Sequence, residues 1–100
     1  MAATKPRVRE DLTVVELDGE AVVYDERTGD LHHLNPTATL VFGLLDGSAT
    51  GRELAADLAD AYGQPFEEVL EQVHVLLRGF RKAKLLEPGT TVAPAGAARG

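Results

Sequence analysis

Every strand-like stretch of this 100-residue chain lies ahead of every helix-like one. Such grouping argues against a parallel α/β sheet, whose strands alternate with helices, and predicts an α+β fold. Leu12–Leu17 is β-branched and partly alternating. Asp18-Gly19 follows as a two-residue turn, because Gly accepts the positive φ of a tight hairpin. Residues 21–25 form a second strand, apolar almost throughout. Arg27-Thr28-Gly29-Asp30 is a second turn, and Leu31, His32, His33 and Leu34 make a short third strand. Two successive hairpins give a three-stranded antiparallel sheet.

The second half carries helix signals. Asn35 is an N-cap, and Pro36 stands at the first helical position, where its missing N–H costs nothing. Ala38, Leu40, Val41, Phe42, Leu44 and Leu45 make this helix apolar on most sides, and Asp46-Gly47 ends it. Thr50 followed three residues later by Glu53 is a capping box. It opens a helix with Leu54, Ala55, Leu58, Ala59 and Tyr62 on one face, closed by Gly63. Pro65 opens a third helix in which Phe66, Val69, Leu70, Val73, Leu76, Leu77 and Phe80 keep a 3.6-residue period to about Lys84. Leu85-Leu86 then turns back onto the core. The order β-β-β-α-α-α, with a helix-turn-helix in its last part, is winged-helix-like.

Residues 1–9 are polar and read as a flexible N-terminal arm. Residues 88–100 are Gly, Pro and Ala with little to pack, and read as a disordered tail. The folded domain is expected over residues 10–87. With no cysteine there is no disulfide framework, Cys-ligated metal or thiol nucleophile. No apolar run approaches the length of a membrane span, and the start lacks the apolar core of a signal peptide, so a cytoplasmic protein is expected.

The net charge of −6 hides an asymmetry. Fifteen acids from Glu10 to Glu71 stand against Arg27 and Arg52 alone, whereas residues 72–86 hold Arg78, Arg81, Lys82 and Lys84 and no acid. Cations at a helix C-terminus complement its dipole. They also suit a cationic rim beside a groove that takes an acidic partner.

Catalytic chemistry is hard to find. His32 and His33 are adjacent on a strand and point to opposite faces, so they do not share a metal; His74 could approach one of them, which makes two ligands at most. Ser48, the one serine, sits beside a turn and suits helix capping. No phosphate loop and no clustered carboxylates stand out. A non-enzyme without metal or cofactor is expected. A recognition helix on DNA would lead with Glu67, Glu68 and Glu71 toward phosphates, so nucleic acid is a poor partner. The sheet edge remains. Leu31, His32, His33 and Leu34 include no Lys, acid or Pro to protect unpaired backbone groups, and an extended peptide can add there as a strand.

From Val22 through Asp25, Gly29 and Leu34-Asn35-Pro36 to Ala38, the sequence resembles the PqqD-like family, the RiPP recognition elements that bind precursor leader peptides. The likeness continues through Leu44-Leu45-Asp46-Gly47 and Glu53-Leu54-Ala55 to Leu85-Leu86, about residues 10–87. The resemblance implies a non-catalytic peptide chaperone. The leader would pair with Leu31, His32, His33 and Leu34 and lie against a helix face of Leu70, Val73, His74, Leu77 and Arg81. Its apolar side chains would enter between Leu31 or His33 and the third helix, and its acids would meet Arg78, Arg81 or Lys82. It further implies a tailoring enzyme as partner, either a radical SAM maturase or a leader protease and cyclase. Two alternatives stand beside it: an acidic winged-helix regulator binding DNA or a protein, and a weak dimer through the sheet edge rather than a monomer.

Overall fold

Two turns set the sheet. A computed structural model describes residues 5–87; residues 1–4 of the expected arm and the expected tail at 88–100 lie outside them. Strands β1 (Leu12–Leu17), β2 (Glu20–Asp25) and β3 (Asp30–Leu34) pair antiparallel in the order β1-β2-β3. Asp18 and Gly19 have φ of 55° and 79°, the doubly left-handed conformation that matches strand twist in a two-residue hairpin. The second turn closes through Gly29, whose N–H donates to the Asp25 carbonyl at 2.7 Å.

Register assigns the faces. Ala21, Val23 and Asp25 of β2 are buried, and their cross-strand partners on β3 are Leu34, His32 and Asp30. These residues share the face that meets the helices, because side chains alternate along a strand. Val15, Leu17, Tyr24 and Leu31 are exposed on the other face, with Leu17 and Leu31 at 73% and 67%.

Helices α1 (Pro36–Gly43), α2 (Gly51–Tyr62) and α3 (Phe66–Lys82) follow. Asn35 Oδ1 accepts from the Ala38 N–H at 2.8 Å, and Thr50 and Glu53 form the reciprocal capping box. The first helix is shorter than its apolar run suggests. Leu44 and Leu45 donate to carbonyls only three residues back, which tightens the chain, and Asp46 pairs instead with Arg7. The third helix also stops early, at Lys82. Lys84 takes a φ of 63° and turns Leu85 into the core, its N–H donating to the Phe80 carbonyl at 2.9 Å. Val23, Val41, Leu45, Val73 and Leu85 are fully buried, and the Phe42 and Phe80 rings meet edge-to-face at 5.3 Å.

Residues 5–9 are not a loose arm. Pro6 is buried, Arg7 pairs with Asp46, and Val8 pairs with Leu86. The Val8 and Arg9 N–H groups donate to the Leu45 and Leu85 carbonyls, each at 3.0 Å. Arg9 is buried, and its guanidinium reaches Asp25 at 2.9 Å, Asp11 at 2.8 Å and the Lys84 carbonyl at 2.9 Å. The stretch looks loose in sequence because it is polar, yet its polar groups find partners on three separate elements. Buried polar groups are tolerated where they are paired in this way. Ser48 does not cap a helix: its N–H and hydroxyl both donate to Asp46 Oδ1.

Candidate functional site

β3 is hydrogen-bonded to β2 on one side only. Its outer row of N–H and C=O groups has no strand partner among the described residues. The Arg9 cluster ties the end of β2 to the rest of the molecule. Asp25 ends β2 at the turn into β3, and its carboxylate accepts from Arg9 and from the Arg27 N–H at 3.0 Å. Hydrogen bonds from Arg9 hold the Asp25 and Asp11 carboxyls below their ordinary value, although desolvation opposes this. The same two carboxylates push the Arg9 guanidinium further up.

The four predicted strand residues divide by face. His32 and Leu34 point toward the helices, with His32 half-buried and Leu34 buried. Leu31 and His33 point away, so they cannot line a groove against α3; this corrects the expected entry path between them and the third helix. His33 Nε2 instead lies 2.8 Å from Glu20 Oε1 across that outer face.

The helix residues divide as well. Val73 and Leu77 are core, at 1% and 5% exposure, rather than an open wall, and Leu70 is half-buried. His74, Arg78 and Arg81 are exposed. With Leu77 they line a depression of about 410 Å³ whose opposite wall is Thr50, Gly51 and Arg52 at the start of α2. No β3 residue lines it. The structure therefore gathers His74, Leu77, Arg78 and Arg81 but does not bring them to Leu31, His32, His33 and Leu34. Amphipathic periodicity identifies the buried stripe of a helix, not which neighbour adjoins each flank.

A different depression begins just past the end of β3, though no β3 residue lines it. Pro36 and Thr37, which continue the chain just after Leu34, share about 360 Å³ with Leu40, Val41, Leu58, Tyr62, Val69, Gln72, Val73 and Leu76. It is mainly apolar, and Leu40 and Tyr62 stand exposed at its mouth. The sequence places Leu40, Val41, Leu58, Tyr62, Val69 and Leu76 on apolar helix faces, and of this lining only Val73 is among the expected site residues. The available signal was that the first helix is apolar on most sides, more than one buried face needs, which leaves Leu40 over. No Cα of β3 comes within 8 Å of α3, so the two backbones do not close on each other.

Among the described residues no group of three His, Asp or Glu could hold a metal ion. No described helix is long and apolar enough to cross a membrane.

Residues 20–86 match the family profile described as Coenzyme PQQ synthesis protein D (PqqD). Comparison with curated proteins finds no match. Two solved structures share the fold. One is described as TbiB1 in complex with the TbiA(beta) leader peptide: TM-score 0.72, 20% identity, covering 82% of this chain and 95% of that one. The other is lasso peptide synthetase B1 complexed with the leader peptide: TM-score 0.72, 23% identity, covering 84% of this chain and 99% of that one.

Proposed function

The chain belongs to the PqqD family, and from that premise we propose that it is a non-catalytic carrier that binds the leader segment of a ribosomally made precursor peptide. The leader adds as a fourth strand on the outer side of β3. The observation that carries this reading is the unpartnered backbone of β3 beside an apolar depression that begins where β3 ends. Main-chain hydrogen bonds along an edge give affinity that is tolerant of sequence, and a pocket for side chains gives selectivity. The two solved neighbours, both leader-peptide complexes, support it.

The geometry shifts the expected contacts. His32 and Leu34 are the β3 side chains on the cleft side, while Leu31 and His33 supply backbone only. On α3 the wall is Val69, Gln72, Val73 and Leu76, and apolar leader side chains fill the depression bounded by Leu40 and Tyr62. The recognition unit comprises residues 10–87 together with residues 5–9, whose Arg9 anchors the β2–β3 turn. It works in the cytoplasm and hands the bound peptide to a separate enzyme, a radical SAM maturase or a leader protease and cyclase.

The test is calorimetric titration with the leader of the precursor peptide encoded beside this protein, read together with amide exchange. Binding at micromolar affinity or tighter, with alternate β3 amides becoming protected, is the expected result. Binding that leaves every β3 amide unprotected would overturn strand addition.

A further inference from the structure

The depression between α2 and α3 gathers charge that the fold does not use. Arg7, Arg9 and Arg27 each face a carboxylate within 4 Å. Among the described residues Arg52, Arg78 and Arg81 face none, in a chain whose net charge is −6. These three arginines and His74 line one space of about 410 Å³, and no acid lines it with them. The Arg52 guanidinium carbon lies 5.0 Å from the Phe66 ring centroid, a cation–π contact that orients the head without neutralising its charge. The first turn of α2 sits close because residue 51 is glycine: a Cβ there would come within 2.8 Å of Leu77 Cδ1.

We propose that this depression is a second docking site, for a short carboxylate-rich segment of a partner protein, between the first turn of α2 and the C-terminal half of α3. Guanidinium forks match carboxylates in pairs, and three of them around one space favour neighbouring acidic side chains over a single ion. The surroundings select against a long polyanion. Glu67, Glu68 and Glu71 lie nearer the start of the same helix, and Glu53, Asp57 and Asp60 lie along α2. Duplex DNA carries a charge about every 1.7 Å and would meet those carboxylates, whereas a short segment need not. The site is independent of the leader reading, since none of its residues lines the depression bounded by Leu40 and Tyr62.

The experiment is a two-dimensional NMR titration of the full chain with a synthetic peptide of alternating Glu and Gly, at low and raised salt. Saturable shifts are expected at the amides of residues 50–52, His74, Arg78 and Arg81, weakening as salt rises. In the R78E/R81E double variant, half-saturation should need about tenfold more peptide or more. The milder R78Q/R81Q pair should fall between, and thermal melts should show both variants folded. Leu40→Ser, in the other depression, should leave the shifts at these residues unchanged. Four results would overturn the proposal: no shift in the unmodified chain, an equal response in the double variant, the same shifts with inorganic phosphate at matched charge, or tighter binding of duplex DNA at these residues.

Discussion

Two extended stretches run along the outside of this molecule, and they treat their backbones in opposite ways. Residues 5–9 look expendable in sequence, yet they are stitched in. Pro6 and Arg7 carbonyls accept from Gly47 and Glu87, and Val8 and Arg9 N–H groups donate to Leu45 and Leu85. β3 looks like ordinary sheet, yet its outer side is left open. Residues 5–9 take their backbone partners from the segments that follow α1 and α3. β1 is an open edge as well, but under the proposed function it is the bare edge of β3, followed by an apolar depression, that takes the guest strand.

The contrast can be broken most severely on the closed side. Val8→Pro removes the donor to Leu45 and leaves a carbonyl short of a partner, so urea denaturation should show a loss of about 2–3 kcal/mol. A smaller change would mean that the segment rests on the body without supporting it.

Next comes the open side. Along an antiparallel strand successive N–H groups point alternately to the two sides, so one of Leu31 and His32 aims its N–H outward. Of Leu31→Pro and His32→Pro, one should melt near the parent temperature and bind leader about tenfold or more weakly, while the other should destabilise the β2–β3 ladder. If both variants keep full leader affinity, the edge is not the seat. Leu40→Ser, at the mouth of the apolar depression, should weaken leader binding about fivefold by calorimetry with little change in melting, because the side chain is already 40% exposed.

The smallest effect is acid dependence. Arg9 lowers Asp25 and Asp11 below the ordinary 3.8. Their contribution to stability is therefore whole above that value and is lost as pH falls through it toward the lowered folded values. Urea midpoints should drop over that acid window. In Arg9→Met the desolvated Asp25 loses its partner and its pKa rises, so the slope should flatten or reverse. An unchanged slope would remove Arg9 from the account of why the β2–β3 turn stays put.

Much of this architecture could be read from short-range signals. Asp18-Gly19, Asn35-Pro36, Thr50 with Glu53, and Gly63 each encode a local conformation, and each turn or cap formed where its residues stand. The site was harder, because it depends on which neighbour lies across a gap. Residues 21–24 are apolar on both faces, so nothing in them says whether Leu31 or His32 looks inward. The residue that settles it is Asp25, whose burial makes sense only once Arg9 arrives from sixteen positions earlier. The α3 stripe told which side is buried, and the cations nearby suggested a rim for the leader. Only the placement of Thr50, Gly51 and Arg52 against that flank, and of Pro36 and Thr37 against the other, separates the two depressions.

The pairing of Val8 with Leu86 carries a topological consequence. Entry to and exit from this unit run side by side, with the Glu87 N–H 2.7 Å from the Arg7 carbonyl. A unit whose two ends are zipped together can be spliced into a surface loop of a larger host without stretching either polypeptide. It also tolerates having its ends joined and a new opening cut at Asp18-Gly19, a rearrangement that would leave β3 and both flanks of α3 where they are.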